Sequence, residues 1–190
     1  MNIIQVVPRF PPAIGGMEEH VYQISLELSR RGHTVSIITS NDIDGKTSPC
    51  REEVMNEMQV YRYPLFMPKT FREFWLIPDI LRGFQRLEAD LVHAHGYRCL
   101  SSCIAIYLAR LKHTPTIFTP HGIYPKRTFA NMLIKSFFDH TLGRLLLKLP
   151  DRIIALTEHN MRLLLQIGAS AEKIVFAPNG VNLDEYADLQ

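Results

Sequence analysis

Apolar spacing along this 190-residue chain switches repeatedly between a two-residue and a 3.6-residue repeat, and that alternation limits the fold more than any other feature. Asn2–Val7 is an apolar run of buried-strand length, Met17–Arg31 has helical spacing with Val21, Ile24 and Leu28 on one face, and Thr34–Thr39 alternates as a strand. Gly32, free to take the left-handed conformation, ends the helix. Strand, helix and strand within about forty residues imply a right-handed parallel crossover. The pattern continues with strands at Met58–Tyr63, Leu91–His95, Thr116–Thr119, Arg152–Leu156 and Ile174–Ala177. Helices are expected at about Phe71–Leu87 (interrupted near Pro78), Leu100–Leu111, Phe129–Leu149 and His159–Ile167, whereas polar Asn41–Asn56, with Gly45 and Pro49, reads as a mobile loop. The expected fold class is α/β, a doubly wound, mainly parallel sheet of about seven strands with helices on both faces.

Composition narrows the classes of function. With 46% hydrophobic and 21% charged residues the chain resembles soluble globular proteins, which excludes disorder and fibrous architectures. No apolar run reaches the ~18 residues of a membrane span, and Ile3–Val7 is broken too soon by Pro8 to be a signal sequence. An intracellular protein is the expectation. Three cysteines, Cys50, Cys99 and Cys103, suggest neither a disulfide framework nor a zinc knuckle, and a net charge of +2 is no signature of nucleic-acid binding.

In an open α/β sheet, ligands bind beyond the carboxyl ends of the strands. After the first strand, Pro8–Gly16 delivers the adjacent pair Gly15 and Gly16 to a helix N-terminus, where bare amides and the dipole favour phosphate oxygens; the same glycines also suit a plain tight turn. This is neither the G-x-G-x-x-G fingerprint nor a lysine-bearing phosphate loop. Glu18 and Glu19 in the first helical turn stabilise that end of the dipole and partly oppose an anion. Val92-His93-Ala94-His95-Gly96 places His93 and His95 on one strand face, and Thr119-Pro120-His121-Gly122 puts another histidine at a strand end. Imidazoles from neighbouring strands can then share a cleft, for hydrogen bonding or proton transfer. No metal is expected, because a catalytic zinc normally has three protein ligands and no carboxylate stands at matching spacing. Spacing supports neither a catalytic triad nor a nucleophile elbow.

Lys126–Arg152 carries six basic residues against Asp139 and Asp151, interleaved with large apolar ones from Phe129 to Leu147. Two readings stand: a core helix with a basic outer stripe, or docking on an anionic membrane. Lys69, Arg72, Phe74 and Trp75 form a second, weaker docking candidate.

Taken in order, the segments Pro12 with Gly15-Gly16-Met17-Glu18 and His20, Arg31-Gly32-His33 before Val35, Val92–Gly96, Thr119–Gly122, Ala155-Leu156-Thr157-Glu158 and Pro178-Asn179-Gly180-Val181 resemble the N-terminal half of the retaining GT-B glycosyltransferases of family four. Thr157 stands where that family usually has Ser, and Asn182 where it usually has Asp. The resemblance implies a Rossmann-like, acceptor-side domain over residues 1–180 and the start of an interdomain linker at 181–190. It implies transfer of a sugar, with retention, from a nucleotide-diphosphate sugar to a hydroxyl acceptor on a glycan or lipid, without metal or cofactor. By the same resemblance Gly15 and Gly16 face the donor diphosphate and acceptor, Glu18 anchors the helix behind them, His121 with Gly122 meets the donor sugar as the catalytic residue, and His95 lines the acceptor side. A second, donor-binding half is the implied partner, without which the chain should not turn over. Nucleic acid is not an expected partner; the expected location is cytoplasmic, with peripheral contact at the inner membrane face. The alternative is a noncatalytic module for a nucleotide, polyphosphate or anionic lipid, while a nicotinamide oxidoreductase would need a Gly-x-Gly loop that is absent.

Overall fold

The computed structural model describes residues 1–66, 74–122 and 136–180. The first crossover forms as the periodicity predicts, from β1 (Asn2–Val6) through α1 (Gly16–Arg30) to β2 (Thr34–Ser40), with Val6 beside Ile38 in parallel register. α1 buries Val21 and Ser25 against the sheet. The chain leaves it at Gly32, whose φ of 84° lies in the left-handed region that glycine enters without a Cβ clash.

Asn41–Asn56 is more ordered than its polarity suggests. It holds a small hairpin, β3 (Asp42–Ile43) with β4 (Lys46–Thr47), and then β5 (Glu52–Met55), which pairs antiparallel with β6 (Met58–Tyr63). Asn56 and Glu57, both at positive φ, make the two-residue turn whose twist suits a hairpin. The stretch looked like a loop because its turn lacks glycine and its edge strand carries two glutamates.

After α2 (Ile80–Arg86) come β7 (Leu91–His95), α3 (Leu100–Leu111), β8 (Thr116–Thr119), α4 (Leu142–Lys148), β9 (Arg152–Ala155), α5 (Glu158–Ile167) and β10 (Ile174–Phe176). The eight-stranded sheet runs β10-β9-β8-β7-β1-β2-β6-β5, and all but β5 are parallel. It is the expected Rossmann-like sheet with an antiparallel strand added at one edge. The chain builds outward from β1 through β2 to β6, then returns to the other side of β1 for β7. Loops therefore diverge between β1 and β7, the switch point where open α/β sheets hold ligands.

Two helix expectations need correction. Residues 74–77 are not helical, with Phe66 and Leu76 bridged, and Pro78 and Asp79 form a turn, so the described helix begins only beyond Pro78, which disfavours a helical residue before it. Phe129–Leu149 is not one continuous helix where it is described: residues 136–140 are helical, Thr141 interrupts, and α4 follows. Thr141 turns its hydroxyl back to the Phe137 carbonyl, at 2.6 Å. The start of that region, the proposed linker 181–190, and Lys69 and Arg72 lie outside the described residues. Phe74 and Trp75 are committed within the fold, Phe74 edge-on to Phe138 and Trp75 beneath the Arg9 guanidinium, which leaves them poor docking groups.

One core cluster joins Ile4, Val6, Ala94, Phe118 and Ile153 of the sheet to residues of α2, α3, α4 and α5. The other packs Val35, Ile37, Met58 and Val60 against Val21 of α1. The cysteines are free, and burial pushes the thiols of Cys99 and Cys103 up, Cys103 to about 12, so these two are packing groups. α4 buries Leu146 and Leu147 while exposing Leu142 and Leu145. Leu147→Ala should therefore lower unfolding free energy in a urea titration by about 2–5 kcal/mol, against about 0.5 kcal/mol or less for Leu145→Ala; equal effects would contradict the core role of α4.

Candidate active site

A cleft of about 720 Å³ opens at the switch point. Its walls are the N-terminus of α1 at Gly16 and Met17, the loop after β7 at Gly96–Cys99, the loop after β8 at Pro120–Gly122, and Thr157 and Asn160 of α5. The first turn of α1 has no side-chain cap, so its bare amides point toward a ligand position. Gly16 lines the cleft. Gly15 stands behind it: a Cβ there would run into the Glu18 carboxylate. Glu18 is buried and its carboxylate pairs with Arg9 at 2.8 Å. It therefore fixes the glycine turn from behind rather than facing the cleft, and Arg9 offsets its charge.

The strand alternation decides where the histidines go. In β1 and β7 the apolar side chains of Ile4, Val6, Val92 and Ala94 enter the larger core, so Gln5, His93 and His95 project to the opposite face. Gln5 and His93 are register neighbours. His95, fully buried, has Nε2 at 2.8 Å from Gln5 Oε1 and Nδ1 at 3.0 Å from His121 Nε2. With the Gln5 carbonyl as acceptor, His95 Nε2–H donates, and His121 Nε2–H then donates to His95 Nδ1. His93 Nε2 is hydrogen-bonded to the Thr119 hydroxyl at 2.8 Å. His20, one turn into α1, reaches the same place, its ring edge-on to His121 with centroids 4.9 Å apart.

His121 occupies the left-handed region, φ 58°, and lines the cleft with Gly122. Asn160 Nδ2 donates to its carbonyl at 2.6 Å, while Thr157 Oγ1 accepts from Asn160 N and caps α5. Threonine thus performs the capping that serine would. Burial drives His93 and His121 down to about 3, reinforced in both by the charge His20 would carry. His95 is held well below its ordinary value by burial and then by its imidazole neighbours. His20 is also lowered by burial, partly offset by Asn179. The cluster is neutral near pH 7, able to donate and accept hydrogen bonds without repelling a cationic centre.

Of the residues the sequence singled out, Gly16, His121 and Gly122 meet in the cleft. His95 stands one layer behind, in contact with His121. Sequence reasoning assigned no role to Gln5, Asn160, Arg98 or the ring of His20. Gln5 was detectable as a polar residue inside an apolar strand; Asn160 and Arg98 carry no local signal. Arg98 lines the cleft and pairs with Asp139 at 3.3 Å. Strand ends supply His95 and His121, and α1 adds His20 as a third imidazole beside them.

The depressed imidazoles fix the sign of acid sensitivity. Below pH ~6.5 the unfolded chain takes up protons that the folded cluster refuses, so this contribution to stability is full above 6.5 and is lost as the pH falls toward 3. Denaturant titrations between pH 6 and 4 should show a loss of about 1.4 kcal/mol per pH unit per buried imidazole. His93→Leu should make that slope shallower; an unchanged slope would contradict a neutral His93.

The Glycosyltransferase Family 4 profile matches residues 14–185. The GPI3 subunit of phosphatidylinositol N-acetylglucosaminyltransferase from Saccharomyces cerevisiae is 27% identical, over 97% of this chain and 40% of its own length. The GDP-mannose:cellobiosyl-diphosphopolyprenol alpha-mannosyltransferase of Xanthomonas campestris is 26% identical, over 98% of this chain and 48% of its own. This chain thus spans less than half the length of these relatives. Among solved structures, Anabaena HepE in complex with UDP-glucose superposes with a TM-score of 0.64 at 17% identity, covering 98% of this chain and 46% of that one. Sucrose-phosphate synthase from Thermosynechococcus elongatus gives 0.66 at 14%, covering 96% and 49%. These neighbours share the fold as one half of a GT-B architecture. By its profile match over most of its length, the chain belongs to Glycosyltransferase Family 4.

Proposed function

We propose that this chain is the acceptor-side domain of a glycosyltransferase that moves a sugar, with retention and without a metal, from a nucleotide-diphosphate donor to a hydroxyl acceptor. In that reaction the bond from the anomeric carbon to the diphosphate breaks and one to the acceptor oxygen forms. Negative charge grows on the leaving group while the sugar gains positive character, so the site must stabilise both. The observation that carries the reading is the cleft shared by the α1 N-terminus and the neutral His121 imidazole. The helix end favours phosphate oxygens, and a neutral ring beside the sugar accepts hydrogen bonds without repelling its developing positive charge.

The same cleft accounts for the proposed need of a second half. Arg98 is the one cationic side chain among its described lining residues, and Asp139 already neutralises it. A departing diphosphate needs more positive charge than that, and the opposing wall of a two-domain cleft is the natural source.

On the acceptor side a second hollow, of about 400 Å³, lies at the carboxyl ends of β2 and β6. Of the arginines lining it, Arg62 pairs with Glu53, Arg82 with Asp79 and Arg86 with Glu52, so the excess of positive charge is the one contributed by Arg51, a group suited to an acceptor bearing phosphate. The names of the yeast and Xanthomonas relatives specify lipids of that kind, phosphatidylinositol and a diphosphopolyprenol. A lipid-linked acceptor also fits the outer face of the α4 region, which exposes Phe137, Leu142 and Leu145 beside Arg144 and Lys148. No helix among the described residues is long and apolar enough to cross a membrane. We read the protein as peripheral at the cytoplasmic face of an anionic bilayer. That surface alone also favours the second reading, a noncatalytic lipid-binding module.

The decisive measurement is turnover of a sugar nucleotide by the protein extended with its second half. His121→Ala should reduce kcat/KM at least ~100-fold in a protein that still folds, its stability lowered by about 1–3 kcal/mol for the His95 acceptor left unpaired, and the 190-residue chain alone should bind donor only weakly in calorimetry. Normal turnover by the variant would remove His121 from the site, and absence of transfer in the extended protein would favour the binding module. In vesicle sedimentation the chain should pellet with anionic but not neutral lipid, and salt should release it; pelleting with neither would remove the membrane reading.

A further inference from the structure

We propose that His20, His95 and His121 form a binding site for one divalent transition-metal ion of the imidazole-preferring class, Zn²⁺ foremost, with the fourth coordination position left for solvent or an anionic oxygen. Each histidine offers one ring nitrogen, and these three atoms lie within 4.8 Å of one another. His95 Nδ1 and His121 Nε2 are 3.0 Å apart. Two nitrogens sharing a tetrahedral zinc at bonds of 2.0–2.1 Å stand about 3.3–3.4 Å apart. That pair needs to open only by tenths of an ångström, and His20 needs to draw in by no more than about 1.5 Å to match the same spacing.

The support behind the ligands is of the kind metal-bound histidines use. A ligating imidazole normally donates its other N–H to a carbonyl or carboxylate, which fixes the ring and raises its basicity. His95 does this already, through Nε2–H to Gln5 Oε1 at 2.8 Å. The His121 main chain is pinned by Asn160. The His20 ring has the Asn179 side chain as a polar neighbour, yet its buried Nε2 makes no hydrogen bond of ordinary geometry among the described residues, which leaves that nitrogen open to a ligand. The three residues come from a helix, a strand and a strand-end loop, so each is carried by a separate part of the fold. Burial keeps the rings neutral, the form that coordinates. An all-imidazole set selects Zn²⁺, Cu²⁺, Ni²⁺ and Co²⁺ over the oxygen-preferring Mg²⁺ and Ca²⁺.

A regulatory consequence follows, and it rests on the glycosyl-transfer reading, whereas ion binding does not. His121 is the imidazole aimed at the donor sugar, so an ion that draws on its ring withdraws that group from the cleft. Metal and donor would then compete, making the ion an inhibitor rather than a participant in transfer.

The first test uses the metal-free 190-residue chain and no sugar. Titration with Co²⁺, followed by the visible absorption that distinguishes tetrahedral from octahedral cobalt, should saturate at one equivalent with the intense tetrahedral spectrum, and one equivalent of Zn²⁺ should erase it. His20→Ala, with folding checked by circular dichroism, should abolish the tetrahedral spectrum. Gln5→Leu keeps all three ligands and should weaken Zn²⁺ binding about 10- to 100-fold. A pale octahedral spectrum, or Zn²⁺ affinity unchanged in folded His20→Ala, would overturn the site. In the extended, two-half enzyme Zn²⁺ should raise the donor KM in the parent and much less in His20→Ala; equal inhibition of both would overturn the competition. Should the extended enzyme transfer no sugar while the cobalt spectrum appears as described, the glycosyl-transfer reading fails and the ion site stands.

Discussion

Imidazoles and an amide placed inside a β-sheet face lose their water, and the cost is bearable only where their polar atoms meet one another. Gln5, His93 and His95 occupy such positions, on neighbouring strands. Gln5 meets His95, His95 meets His121, and His93 meets Thr119. This network requires β1 to lie beside β7 and β7 beside β8, and burial keeps its rings uncharged. The strand order that makes the switch point and the polar pairing that lines it are therefore the same constraint. A slip of one residue in β7 would send both histidines into the aliphatic cluster.

The second constraint is the fixing of the long loop between β1 and α1. Arg62, almost fully buried, pairs with Glu53 at 2.6 Å and donates a hydrogen bond to the Pro11 carbonyl. Asp44, from the hairpin turn, accepts from the Ile14 amide at 3.2 Å and pairs with Arg9 at 3.1 Å. Arg9 in turn reaches Glu18 and lies over Trp75. Arg62 and Glu18 are the buried members of these pairs, and a buried charge is expensive to leave without its partner even where the pair adds little net stability. Their effect here is to hold one loop geometry, which keeps the bare end of α1 at the cleft. The polar segment between β2 and β6 thus serves as a clamp on the glycine turn.

Much of this was legible in the chain itself. β6, β7, α3 and β8 have the bounds that periodicity assigned them, because each is a dense apolar pattern closed by a clear breaker. The histidines at the ends of β7 and β8 were visible as polar residues in apolar strands, and parallel pairing brings them together. β5 was not legible, since its glutamates mask the alternation and an edge strand is fixed by its neighbour rather than by its own residues. The division of labour around the glycine turn was half legible: two glycines at a helix start mark close approach, but only the fold shows that Glu18 fills the space behind Gly15 while Gly16 faces outward. His20 stood among the motif residues without a role, because helical spacing alone does not say which residue of α1 overhangs the ends of β7 and β8.

The electrostatics of the cleft follow from this construction. A helix N-terminus contributes roughly half a positive charge, Arg98 is matched by Asp139, and the imidazoles contribute none. A wall built this way can orient a phosphate and tolerate a cationic sugar carbon, yet it holds little charge with which to stabilise a leaving diphosphate. A cation placed among these imidazoles would also act on the sugar carbon, opposing the positive character that grows there. Separating the roles across two domains avoids that conflict: neutral dipoles stay beside the carbon, cations approach the phosphates from the other side, and closure excludes water only when both are in place. On that argument the low charge of this cleft is a requirement of the chemistry proposed for it.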